Sequence, residues 1–347
     1  MPARDLAEVY RRFAEDAAGT SPLSARVAVA LSGSAGALQA LQAARARQPA
    51  VLLAALHDLA LAGRAPALAA AYAAGDDEAA AVAAVDTLLR TPDVLAARRP
   101  VRTVETARCA VLYPAVAEAA RRAGADAVGL VDVGSPVGLN THLDRLGITY
   151  GTGQRLGDPA SPVQLSASVV GARPVPATAV PEVVARVAVD PDPVDVTDPD
   201  DARWLRACVP PDEPERAAQL EAELALMTAD PPQLVCGDAV EVLPDAVARV
   251  PDGALPVVTT TWALSRYPLE GRLRFLHRLD EVAARRVVAW VSVEGVGVAP
   301  AVPTLGDRRA SGHSTVGVTV LGGSALHAEA VGRCWSRGRL LSWLADS

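Results

Sequence analysis

No lysine occurs anywhere in the 347 residues; all 33 basic side chains are arginine. Asparagine and isoleucine occur once each, at Asn140 and Ile148, and phenylalanine twice, at Phe13 and Phe275. Losing Lys, Ile and Asn together fits a GC-rich coding bias, yet it still excludes chemistry. Without lysine there is no Schiff base to pyridoxal phosphate, no P-loop lysine and no side-chain amine nucleophile. A basic face is lacking too. The net charge is −7, and no arginine cluster is dense enough to suggest nucleic-acid binding. Cys109, Cys208, Cys236 and Cys334 stand far apart with no CxxC spacing, which predicts reduced, mostly buried thiols rather than disulfides or zinc. His57, His142, His277, His313 and His327 are scattered, and no two have metal-ligand spacing, so no metal site is expected. The N-terminus, Met1 to Glu8, has no signal-peptide apolar core. The weakly charged stretch 287–306 is broken by Glu294, Gly and Pro, so it reads as a buried strand and loop rather than a membrane span. These absences together predict a soluble, cytoplasmic protein without nucleic-acid or membrane partners.

What is present divides the chain. Residues 1–98 are rich in Ala and Leu and poor in β-branched residues, and Leu6, Ala7, Tyr10, Phe13 and Ala14 have helical spacing. Ser21-Pro22 opens a further helix, and Val51–Ala62, Ala65–Ala73 and Glu78–Leu89 follow. This predicts an all-α subdomain of roughly five helices over 1–100, able to face a protein partner or a second copy of the chain. A long helix at Thr103–Ala123 leads into a strand at 127–132, and strands then alternate with helices to the C-terminus. That alternation predicts an α/β fold with a Rossmann-like, doubly wound, mostly parallel sheet over 101–347. Residues 151–231, Gly/Pro-rich and then acidic, read as a long insertion near the ligand edge. The acidic run from Asp190 to Asp201 lacks the central glycine and distal glutamate of a calcium loop. Helix capping explains its second half: Asp198 caps, Pro199 takes the first helical position, and Asp200 and Asp201 favour the dipole of a helix carrying Trp204 and Leu205.

The most informative stretch is Leu130-Val131-Asp132-Val133-Gly134-Ser135-Pro136-Val137-Gly138-Leu139-Asn140. A short apolar strand holding an acid is followed by glycines at 134 and 138 and a helix-compatible run. Such a loop suits a ligand at the carboxyl edge of a parallel sheet. An NAD fingerprint needs a third glycine that is absent, which places an NAD(P)-dependent oxidoreductase last among the readings. The loop instead resembles the S-adenosylmethionine (SAM) loop of class I methyltransferases. Asp132, Gly134 and Gly138 fall on three of its four marked positions, and Pro136 replaces the middle glycine. The resemblance implies that the loop backbone lies against the methionine part of SAM and that the acid helps anchor its ammonium group.

Gln233 to Ala239 is a strand followed by Gly237-Asp238-Ala239, where methyltransferase-like proteins often hold the adenine amino group with an Asp. Capping the helix at 239–248 is the plainer role for Asp238, and the two roles are compatible. The ribose acid expected after the second strand is missing from Ile148-Thr149-Tyr150-Gly151-Thr152-Gly153-Gln154, unless Asp158 supplies it. The strand ending Thr259-Thr260-Thr261-Trp262 carries no Asn/Asp-Pro-Pro-Tyr, which argues against methylation of exocyclic amines in nucleic acid. Trp262 and Tyr267 are candidates to line a small-molecule pocket, with core packing as the plainer role. Glu105 and Arg108 are spaced to pair, either facing the pocket or exposed. His142 is a general base if it faces the ligand and a surface residue otherwise.

The chain as a whole resembles an uncharacterised bacterial family filed as domain of unknown function 2332. The resemblance rests on Glu105-Thr106-Ala107-Arg108, Asp132–Asn140, Gly237-Asp238-Ala239 and, most specifically, the run from Asp195 to Leu205. It names no reaction. The leading expectation is a SAM-binding protein acting as a methyltransferase on a small molecule, with Asp132, Gly134, Gly138, Asn140, Gly237 and Asp238 at the cofactor and the catalytic group unassigned. The alternative is a non-catalytic Rossmann-like protein with a degenerate pocket, acting as a binding or interaction module.

Overall fold

The computed structural model describes residues 3–43, 47–91, 99–322 and 325–345. Met1 and Pro2 of the N-terminus considered above, and residues 92–98 just before the expected boundary at 100, lie outside the described residues. The chain divides into two compact units, Met1–Thr103 with Val196–Leu224, and Val104–Asp195 with Ala225–Ser347.

The first unit is helical. Its N-terminal part holds α1 (Ala3–Ala17), α2 (Pro22–Gly33), α3 (Ala35–Ala43), α4 (Pro49–Leu61), α5 (Pro66–Ala74) and α6 (Asp77–Arg90). The unexpected member is α3, which Ser34 starts by accepting the Ala37 amide on its hydroxyl at 3.2 Å. Later in the chain this unit adds α8 (Pro199–Ala207) and, as far as Leu224, α9 (Pro214–Ala229). Asp198 caps α8 as expected, accepting the amides of Asp200 and Asp201 at 2.8 and 3.1 Å. Trp204 joins the same apolar core as Leu6, Tyr10, Leu31, Leu56 and Leu68, and its indole N–H donates to the Pro100 carbonyl at 3.0 Å. The most specific part of the family resemblance thus builds a capped helix and buries its tryptophan.

The second unit is a mixed α/β body around one large, mostly parallel sheet. Its strands are β1 (Ala127–Val133), β2 (Gly147–Tyr150), β3 (Arg155–Gly157), β4 (Gln164–Val169), β5 (Glu182–Asp190), β6 (Gln233–Cys236), β7 (Leu255–Thr261), β8 (Val288–Gly295), β9 (Ser314–Gly322), β10 (Ala325–Trp335) and β11 (Leu340–Trp343). They run in the order β3-β2-β4-β11-β10-β9-β8-β7-β1-β5-β6. From β6 to β8 all neighbours are parallel, whereas β9 and β10 return antiparallel. All seven residues of β7 are buried, as befits a central parallel strand covered on both faces.

The helices α10 (Ala239–Val247) and α11 (Leu269–Ala283) pack one face, where Leu243, Phe275, Leu279 and Trp290 meet the strand valines. On the opposite side α7 (Cys109–Ala123) touches β7, β8, β9 and β4. Residues Cys109–Ala120 of α7 are buried without a break. That leaves no solvent face, and it accounts for a sequence apolar nearly all round.

The expected insertion at 151–231 is composite. Residues 155–190 supply β3, β4 and β5 to the sheet, while 196–224 group with the helical unit. One sequence assignment needs correction. The strand Gly147–Tyr150 pairs with β3 and β4 and is no neighbour of β1; the strands flanking β1 are β5 and β7. Tyr150 is instead tied to α7, its hydroxyl donating to the Ala110 carbonyl at 2.7 Å. Among the described residues, no single helix is long and apolar enough to cross a membrane.

Candidate functional site

In chain order the parallel strands β6-β5-β1-β7-β8 read third, second, first, fourth, fifth. The order reverses between β1 and β7, so the loops leaving these two strands diverge. Open α/β sheets bind ligands at the carboxyl edge beside such a reversal. The strand ends are level there: Val133 faces Val189 and Thr260, and Asp190 faces Cys236.

Asp132 sits in β1, fully buried. One oxygen accepts the Thr259 hydroxyl at 2.6 Å and the other the Asn140 side-chain amide at 2.9 Å. The Asn140 amide also reaches the Thr261 hydroxyl at 3.5 Å, and its carbonyl accepts the Cys109 thiol at 3.6 Å. Burial pushes the Asp132 carboxyl up from its usual range, against the pull of the Thr259, Ser135 and Asn140 hydrogen bonds and the Arg108 charge. The sole asparagine of the chain is therefore the tie that fastens the glycine loop to β1 and β7.

Both loop glycines have left-handed backbone, φ +76° at Gly134 and +74° at Gly138. A Cβ at Gly134 would lie 2.8 Å from that of Ala263, and one at Gly138 would meet Ala188 at 2.8 Å and Pro232 at 2.9 Å. Glycine is required here by protein packing as well as by conformation.

The structure brings further acids to this edge. Asp238 is exposed and caps α10, accepting the Val240 amide at 2.9 Å. Tyr267, half-buried, lies against Asp238; burial first and that carboxylate second push its phenol upward. Gly237 lacks room for a side chain, since a Cβ would come within 2.5 Å of Val242. Asp190 closes β5, directly beside β1, and one of its oxygens accepts the Asp192 amide at 3.0 Å. Its signal in the sequence was the alternating β-branched run Glu182–Asp190, obscured by the acidic run that follows.

Glu294, near the end of β8, was visible only as a lone charge in an apolar stretch. It is 1 % exposed and accepts the amides of Ala263 and Leu264, both at 3.0 Å, on one oxygen. The other oxygen is buried without a hydrogen-bond partner, and burial pushes the carboxyl up to about 7.

The loop that Glu294 holds begins with Trp262, whose φ of +53° is strained for a tryptophan. Four contacts fix it there. Its amide donates to Val293 O at 3.0 Å, its indole N–H to Ser314 Oγ at 2.8 Å, Ser265 Oγ donates to its carbonyl, and Glu294 secures the next two residues. The Arg108 guanidinium lies over the Trp262 ring, 5.1 Å from its centre.

Two sequence expectations change here. Glu105 and Arg108 do not pair; Glu105 accepts Arg337 at 2.7 Å, and Arg108 makes no ion pair among the described residues. His142 is neither exposed nor at the edge. It is fully buried, its ring nitrogens 2.7 Å from Asp230 O and 3.2 Å from Thr141 Oγ1, and burial holds it below the usual imidazole value. Beside it the buried Arg186 binds the half-buried Asp144 through two nitrogens and Asp230 through a third, a cluster that fastens residues 139–145 to β5. Asp158 also lies away from this edge, accepting the Ala160 amide in its own turn at 2.8 Å.

No curated protein matches the chain. A family model does, across residues 7–343. The chain belongs to the uncharacterised protein family conserved in bacteria, DUF2332.

Proposed function

We infer that this protein binds SAM at the carboxyl edge of its sheet and acts as a methyltransferase on a small molecule. The observation that carries the reading is the pair of acids at the ends of the two strands on one side of β1: Asp190 ending β5 and Asp238 just past β6. Asp190 stands where a ribose acid is required, at the end of the strand beside β1. The third-second-first-fourth-fifth strand order is the one dinucleotide- and nucleoside-binding sheets share, and it supports the same reading. Asp190 would hold ribose hydroxyls and Asp238 the adenine amine, with Tyr267 beside it. Asp132 takes a different part from the one its loop resemblance implies. With both oxygens engaged, it shapes the loop rather than meeting the ligand.

Isothermal titration with SAM and S-adenosylhomocysteine tests this. Saturable heat is expected from both, weakened in Asp190→Ala; no heat from either at millimolar ligand overturns it.

A second reading, a non-catalytic binding module, has one observation in its favour. The glycine loop is filled from within, by Asn140 against Asp132 and by Ala188, Pro232 and Ala263 against the two glycines. On that reading neither nucleoside gives heat, and Asp190→Ala behaves as the wild type does.

A further inference from the structure

We propose that Arg108, stacked on Trp262, is a receptor for a ligand carboxylate. The proposal deepens the SAM reading but rests on its own geometry. Several arginines of this unit are committed to acids: Arg186 to Asp144 and Asp230, Arg333 to Asp307, Arg337 to Glu105. Arg108 is different. Its Nε is buried without a hydrogen-bond partner, and the nearest acid in sequence, Glu105, is engaged by Arg337. Arg108 is half-buried, and a desolvated Nε is costly to maintain unless something pairs with it.

The platform beneath the cation is itself maintained at a cost. Trp262 keeps a left-handed backbone that its neighbours over-determine, the kind of strain that collects at ligand sites. Stacking on an indole face fixes the plane of a guanidinium and leaves its N–H edge free to grip an anion. Arg108 also immediately precedes α7, so the positive end of that 15-residue helix adds to the same field. Burial lowers the Arg108 pKa from its usual value, while Asp132 and Glu105 raise it, and a guanidinium keeps its charge under such opposing influences. A single planar fork beside two acids suits a monoanionic carboxylate better than a phosphate dianion.

Two sources share this chemistry: the amino-acid end of SAM and a carboxylate on the methyl acceptor. Titrations of wild type, Arg108→Gln and Arg108→Lys with three probes separate them. The probes are S-adenosylhomocysteine, 5′-methylthioadenosine, which lacks the amino-acid end, and benzoate. If the nucleoside supplies the anion, Arg108→Gln weakens S-adenosylhomocysteine about tenfold or more and leaves 5′-methylthioadenosine unchanged. If the acceptor supplies it, the loss falls on benzoate alone. Arg108→Lys should recover part of either loss, because a point charge remains where the fork is gone.

Unchanged affinity of Arg108→Gln for both carboxylate probes overturns the proposal. So does an equal loss for all three probes, which marks a structural role. Wild type that binds benzoate through Arg108 but neither nucleoside sinks the SAM reading and leaves the carboxylate receptor standing.

Discussion

Asp132 and Arg108 are near enough for the charge of each to act on the other, and their surroundings could hardly differ more. Asp132 has a partner on each oxygen and no exposed surface. Arg108 has an aromatic ring under it, an Nε with no hydrogen bond and no ion pair among the described residues. The acid that the glycine-loop motif marks as the ligand group is engaged by its own chain on both oxygens, and a cation outside that loop keeps an Nε without a hydrogen bond. A polar group that closes a network with its own chain contributes to stability, whereas one held in a fixed place without a partner is available to something else. The same contrast runs through the acids: Asp132 is sealed, Asp238 is exposed at a helix start, and Glu294 is divided between the two conditions.

Breaking the sealed side should have the largest effect. Asp132→Ala leaves the Asn140 amide and the Thr259 hydroxyl buried without their main partner and opens a void between β1 and β7. A loss of about 3–5 kcal/mol is expected, read from the urea midpoint. A loss below about 1 kcal/mol would show that the loop is not held by this network, and the contrast with Arg108 would fail.

Much of the fold was legible in the residues. The strand Gln233–Cys236 and the Asp198-Pro199 helix start lie where the sequence put them, because strong local signals agree with the tertiary contacts at those places. Strand adjacency was not legible. Gly147–Tyr150 follows β1 in sequence, yet it pairs at the far end of the sheet, and the chain travels to Glu182 before laying a strand beside β1. Periodicity reports that a segment is a strand; it carries no information on its neighbour. That one assignment kept Asp190, at the end of the strand that does flank β1, out of the set of acids considered beside it. The three threonines ending β7 were likewise read for a motif they lack. Their use is to meet Asp132, Trp290 and Asn140, a matter of which strands and loops converge.

Glu294 sharpens the comparison through pH. Its carboxyl is raised from 4.5 to about 7 in the fold, so the folded chain holds a proton that the unfolded chain has released between those values. Stability from this group is therefore fully present below about pH 4.5 and lost as pH rises to about 7. At about 1.4 kcal/mol for each pH unit between the two values, the loss is at most about 3.5 kcal/mol. Glu294→Gln cannot titrate but keeps an acceptor for Ala263 and Leu264. Relative to wild type it should gain stability between pH 5 and 8, measured from denaturant midpoints at each pH. A constant difference across that range would show that Glu294 is ionised throughout, and that Trp262 rests on a permanent charge.

The smallest expected effect is the most discriminating for Arg108. The Glu105–Arg337 pair is largely at the surface, Arg337 being 69 % exposed, and such pairs contribute under about 1 kcal/mol. Glu105→Gln should therefore barely move the unfolding midpoint. Its consequence for binding has a definite sign. Removing a negative charge near Arg108 cannot weaken the hold on a carboxylate; it leaves the affinity for S-adenosylhomocysteine or benzoate unchanged or raises it slightly. A loss comparable to that of Arg108→Gln would mean that Glu105 and Arg337 shape the place the anion occupies. The cation on Trp262 would then be one member of a built network, as Asp132 is, and no longer its counterpart.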